Sequence, residues 1–95
     1  MIATLTLTGR KQGYQSTDGN QQIIMILEGD TYNNREQIKA QQYSWIAEQK
    51  HWVRFFPATK QGIADAKSTL INLGVGRNQL STDMTHDEAV QIMQQ

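Results

Sequence analysis

The sequence predicts an α+β domain: an antiparallel sheet of four or five strands with helices packed on one face, in the order β-β-α-β-β-α-(β)-α. Three observations lead there. Stretches with the two-residue period of a strand mix with stretches of helical period, without the regular alternation of a parallel βαβ fold. Two pairs of strand-like segments are joined by turn-forming residues, as hairpins are. The chain has 95 residues, room for a single domain over 1–95 and too short for two ordinary ones.

Residues 2–8 alternate strictly: Ala3, Leu5 and Leu7 share one face, Thr4, Thr6 and Thr8 the other. This is a half-buried strand, and β-branched Thr suits its pleated surface. The Thr face is either solvated or part of an open edge, where it could recruit another strand. Gly9 to Asn20 is turn-like, with Asp18-Gly19 favouring a tight reversal. Residues 21–28 are apolar on both faces through Ile23, Ile24, Met25, Ile26 and Leu27. A strand of that kind is central and covered on both sides.

Asn33 or Asn34 opens a short helix over about 34–42, with Glu36 at capping-box spacing from Asn33 and Tyr32 in the staple position. Ile38 is its one large apolar residue. Residues 43–56 form a second hairpin. A two-residue Glu48-Gln49 turn would demand positive φ at residues that dislike it, and a four-residue loop Ala47–Lys50 built on a type I turn is easier and keeps the same pairing. In that register Trp45 faces Trp52 and Tyr43 faces Arg54 on one side, while Ile46 faces His51 and Ser44 faces Val53 on the other. Pro57 ends the strand.

Thr59 caps a helix over about 60–73 in which Ile63, Ala66, Leu70 and Leu73, with Ile71 beside them, recur at helical spacing. Gly74 fits the left-handed position that follows a helix. Residues 75–81 form either a short edge strand or an extended link. Thr85 with Glu88 is a capping box for a last helix over about 86–94, with Ala89, Val90 and Met93 turned inward. Asp87 and Glu88 in its first turn suit the helix dipole.

Composition excludes several functions. There is no cysteine, so disulfides, thiolate metal sites and a Cys nucleophile are ruled out. The longest apolar run, Ile23–Leu27, is far short of the roughly 18 residues of a membrane span. No secretory signal opens the chain, and a cytoplasmic protein is expected. Nine Lys+Arg balance nine Asp+Glu. All nine bases fall in residues 1–77, which carry +3; residues 78–95 carry −3 through Asp83, Asp87 and Glu88. The thirteen Gln are scattered, which argues against an aggregation-prone tract.

An enzyme is not expected. His51 and His86 lie in a hairpin and at a helix start, with no nucleophile elbow in the chain. His86-Asp87-Glu88 lacks metal-ligand spacing, and Glu88 is better explained as a capping residue. Gly74-Val75-Gly76-Arg77 follows a helix, whereas a phosphate loop precedes one. No cofactor or metal is implied.

The Trp hairpin is the most informative segment. Ile38-Lys39, then Tyr43-x-Trp45, then Lys50-x-Trp52, closed by Phe55-Phe56, resembles a small module of phage, plasmid and DNA-repair contexts: a Lys-bearing short helix, aromatic-x-Trp, a turn, and Lys-x-Trp. HARP-type domains of annealing helicases are among its members. The resemblance spans residues 23–56. Where the module carries a glycine before its aromatic, this chain has Gln41-Gln42, and its acidic turn residue is displaced to Glu48. The resemblance implies binding of single-stranded or branched DNA.

Physical chemistry supplies a parallel argument. Residues 35–67 hold six bases and three acids, and cations beside aromatic faces join phosphate attraction to base stacking. The expected contact residues are Arg35, Lys39, Lys50, Trp52, Arg54 and Lys60. Arg10-Lys11 either reach a phosphate or keep their loop solvated. Against this, two cross-strand indoles also serve as core in so small a domain, and Arg54 opposite Tyr43 could be a local cation–π contact. The alternative is a protein-binding accessory or inhibitor from a phage or mobile element, acting on a host protein through the acidic end or the Thr-rich edge. A homodimer through a sheet edge is compatible with either.

Overall fold

The computed structural model describes residues 1–9, 14–17 and 19–95. The elements are β1 (Ile2–Leu7), β2 (Gln22–Glu28), a 3₁₀ turn at Tyr32–Asn34, α1 (Arg35–Ala40), β3 (Ser44–Ile46), β4 (His51–Pro57), α2 (Lys60–Asn72), a 3₁₀ turn at Arg77–Gln79, β5 (Leu80–Thr82) and α3 (His86–Met93). They form one five-stranded sheet in the order β3-β4-β2-β1-β5. The α+β class and the element order are those the sequence predicts. The tight reversal expected at Asp18-Gly19, and Arg10-Lys11, fall on or beside residues outside the described ones.

The sheet is mixed, which corrects the purely antiparallel expectation. β1 and β5 run parallel, with Ala3 opposite Leu80 and Leu5 opposite Thr82. The cause is α2. A helix after β4 returns the chain to the end at which β4 began, so the next strand must run in the same direction as β4. Because β4 and β1 are each antiparallel to β2, that direction is also β1's. Residues 75–81 thus resolve into a 3₁₀ turn and the start of a three-residue edge strand.

One face of the sheet carries Ala3, Leu5, Leu7, Ile23, Met25, Leu27, Trp52 and Phe56, packed against Ile38 of α1, Ile63, Ala66 and Leu70 of α2, and Ile92 of α3. α2 begins at a tight approach. A Cβ placed on Gly62 would lie 1.9 Å from the Pro57 carbonyl oxygen, so only glycine lets the helix start there. Thr59 caps it as expected, its Oγ1 accepting from the Gly62 amide at 3.0 Å.

The other face is buried too. Ile24, Ile26 and Val53 form a second cluster with Tyr14, Ile46 and Phe55 against it. Thr6 and Thr8 are buried, so the Thr face is neither solvent nor edge. β1 lies between β2 and β5, Thr6 Oγ1 donates to the Asp83 carboxylate at 2.8–2.9 Å, and Thr8 Oγ1 accepts from the Gln22 amide at 3.1 Å. A Thr-rich contact edge for a host protein is therefore not available.

Two helix starts contrast. At α3 the Thr85–Glu88 box forms in both directions, at 3.2 and 2.9 Å. At α1 neither Asn33 nor Asn34 caps with its side chain. The preceding 3₁₀ turn instead supplies carbonyls at Thr31 and Tyr32 to the first amides, and Tyr32 is exposed and does not staple. α3 is also rotated from expectation. Ile92 is its buried residue, while Val90 and Met93 face solvent.

Candidate nucleic-acid interface

The β3–β4 hairpin pairs Ser44 with Val53, Trp45 with Trp52 and Ile46 with His51, the register that the sequence predicts. The loop is the four-residue Ala47–Lys50. Its last residue, Lys50, takes φ +56°, and the Lys50 amide donates to the Ile46 carbonyl at 2.8 Å.

The two indoles lie 5.3 Å apart at 58° but differ in environment. β4 is flanked on both sides and β3 only on one. Trp52 is consequently 6% exposed and Trp45 46%. Trp52 Nε1–H donates to Thr31 Oγ1 at 3.3 Å, which satisfies the buried indole. Trp52 thus offers no open face for a base, a correction to its expected role as a contact residue. Trp45 is the residue of the pair able to stack on a ligand.

Arg54 is likewise committed internally. Its Nη1 donates to the Gln41 carbonyl at 2.9 Å, and its guanidinium lies 4.6 Å from the Phe56 ring centroid; the expected Tyr43 is not its cation–π partner. It ties the C-terminal end of α1 to the sheet. Tyr43 is buried, and its hydroxyl lies 2.8 Å from Thr69 Oγ1. Thr69 Oγ1 itself donates to the Ala66 carbonyl at 2.7 Å, so the Tyr43 hydroxyl is the donor to Thr69. Burial raises the Tyr43 pKa above its usual value, with the Thr69 bond and the nearby Arg54 charge opposing that rise.

Among the remaining expected contacts, Lys39 and Lys50 are exposed on the elements that lead into and out of β3. Arg35 sits at the start of α1, its Cζ 4.1 Å from the Tyr32 ring centroid and its Nη1 donating to the Tyr32 carbonyl at 2.8 Å. Lys60 is exposed at the start of α2, beyond the far end of β4. A seven-residue strand spans about 20 Å, so Lys60 does not join the cluster around Lys50.

The patch that the fold assembles is therefore Trp45, Arg35, Lys39 and Lys50, with one addition. Tyr32 is 69% exposed and follows Thr31, the residue bonded to Trp52. Tyr32, with Arg35 over one face of its ring, and Trp45 are two exposed aromatics tied to the buried Trp52, one through the neighbouring Thr31 and one by direct ring contact. Tyr32 was legible only as an aromatic beside a helix start, a position where packing is the usual role. The acids Glu36 and Glu48 are exposed on the same elements, so charge in the patch is mixed.

Behind the hairpin, on the other sheet face, His51 is buried and shares a hydrogen bond with the Tyr14 hydroxyl through Nε2. Burial lowers the His51 pKa, and the Glu28 carboxylate partly restores it. Burial also raises the Tyr14 pKa. Among the described residues no group of three His, Asp or Glu side chains is placed to hold a metal ion, and no helix is long and apolar enough to cross a membrane. A cleft of about 440 Å³ lies between Pro57–Thr59 and α3, at the opposite end of β4 from the aromatic patch. No family model, curated protein or solved structure matches this chain.

Proposed function

We propose that this domain is a small non-enzymatic accessory module that binds single-stranded or branched DNA through Trp45 and Tyr32, with Lys39, Lys50 and Arg35 as phosphate contacts. The observation that carries the proposal is Trp45: a large apolar ring left half open on an edge strand, beside cationic side chains, in the segment that resembles the DNA-repair module. A base stacked on an aromatic side chain contributes about 1–3 kcal/mol and requires no particular sequence. With Glu36 and Glu48 interspersed, stacking contributes more than charge, and the salt dependence corresponds to two or three phosphates.

Fluorescence anisotropy with labelled single-stranded and forked oligonucleotides, at low and moderate salt, tests this. Trp45→Ala weakens binding about tenfold, in line with the stacking energy. Lys39→Glu with Lys50→Glu weakens it further and flattens the salt response. Lys60→Glu leaves it unchanged. Absence of binding by the unmodified protein at low salt, or binding indifferent to Trp45→Ala, rejects the proposal.

One observation favours a protein partner as the second reading. The outer side of β3 is an open edge, and a mixed-charge rim around exposed aromatics is the pattern of protein interfaces. A partner strand adding to β3 would be blocked by Ser44→Pro, a change that leaves stacking on Trp45 possible.

A further inference from the structure

A second surface stands apart from the aromatic patch. The C-terminal half of α2 and the segment leading to β5 enclose a groove of about 380 Å³. Leu70, Val75 and Leu80 line it, Ile71 stands on its rim at 76% exposure, and Lys67 and Arg77 flank it. An isoleucine so exposed, inside an apolar groove with two cations, marks a contact surface more than a solvated helix face.

The complementary surface is on the same molecule. α3 presents Val90 and Met93 to solvent, and Asp87 stands one turn before Val90. Residues 78–95 carry no base and three acids. Asp83 is engaged by Thr6 and Glu88 by the Thr85 cap, so Asp87 is the acid that accompanies the exposed Val90 and Met93, and this apolar pair with its one acid matches apolar side chains flanked by two bases in the groove. The two cannot meet within one chain. α3 packs at the Leu7 end of β1, where it lines the cleft with Leu7, while the groove ends at Leu80, opposite Ala3. They lie at opposite ends of one helix layer.

We propose that this chain forms a two-fold dimer in which α3 of each copy docks in the Lys67–Ile71–Arg77 groove of the other. A two-fold axis lying in the interface, over the middle of the helix layer and across its length, exchanges its ends, so each groove meets the partner's α3 and the contact closes without forming a filament. The charge arrangement sets the pairing, and the apolar contact supplies most of the attraction. This dimer leaves Trp45 and the β3 edge open and does not depend on the DNA reading.

Sedimentation equilibrium over a concentration series up to about 1 mM, the weak end of specific association, tests it, with circular dichroism to confirm folding. The unmodified protein is expected to approach twice its monomer mass. Lys67→Glu with Arg77→Glu in one variant, and Asp87→Lys in another, should each shift the dimerisation midpoint at least tenfold higher. Mixing the two variants should restore association, because both grooves then face a helix of opposite charge. Ile71→Lys, a change at an exposed position that folding tolerates, should weaken the dimer on its own. A protein monomeric throughout the series overturns the proposal. So does a dimer that survives the charge reversals, or one abolished by Ser44→Pro while the groove variants leave it intact.

Discussion

The two faces of the sheet are both buried, by different means. The helix face is covered by regular structure, and its buried side chains are nearly all apolar. Among the described residues no helix covers the opposite face. Its apolar centre is Ile24, Ile26 and Val53, ringed by polar groups that find one another: Tyr14 with His51, and Thr6 with Asp83. On the first face stability depends on shape, and on the second on paired polar groups that are costly to leave unmatched. The two should therefore fail differently.

The largest loss is expected on the helix face. Gly62→Ala ordinarily stabilises a helix by about 0.5–1 kcal/mol. Here the added methyl meets the Pro57 carbonyl, and an overpacked site costs about 3 kcal/mol. Urea unfolding should show a net loss of about 2–2.5 kcal/mol, the largest of the losses expected here. A neutral or stabilising result would mean that α2 shifts freely on the sheet.

On the polar face, Tyr14→Phe leaves His51 Nε2 without its partner while keeping the ring that packs edge-on to Phe55. The expected loss is about 1–2 kcal/mol. The same site gives a pH signature. The folded His51 pKa lies below its unfolded value near 6.5. Its contribution is therefore complete above about pH 6.5 and falls away as pH drops through the lower folded value. Melting temperature should decline on acidification through that window, and the decline should flatten in His51→Gln but not in His86→Gln. An unchanged profile in His51→Gln would mean that burial of the imidazole is not what couples this face to pH.

Thr6→Val keeps the strand's shape and removes the hydroxyl that donates to Asp83. Because Asp83 is exposed and can rehydrate, the loss should be about 1 kcal/mol, that of an ordinary neutral hydrogen bond and below the range for a bond to a charged group. The smallest effect concerns the end of α1, where Gln42 adopts φ +67°. Glycine takes that conformation without strain, so Gln42→Gly should raise stability by about 0.5–1 kcal/mol.

Much of the fold was legible because it is written in short-range spacing. The alternation in residues 2–8, the doubly apolar run Ile23–Leu27, the hairpin register at Trp45–Trp52 and the caps at Thr59 and Thr85 each depend on residues a few positions apart. The candidate site was legible only in part. Lys39 and Lys50 are exposed at the predicted margin of the fold, and Arg35 is half-buried against Tyr32. Trp52, Arg54 and Lys60 are not part of one accessible patch, because one is covered, one is held by Gln41 and Phe56, and one lies beyond the other end of β4. Tyr32 was missed for the converse reason: nothing local tells a stapling aromatic from an open one.

The sequence by itself determined which residues share a face in β1 and β2, where α2 and α3 start and how the second hairpin pairs, since backbone geometry converts spacing directly into direction. Only the tertiary structure decided that β5 runs parallel to β1, that the Thr face is closed, and that of two indoles in one ribbon the inner is core and the outer surface. Those outcomes depend on what packs beyond each strand, and that is set by segments dozens of residues away.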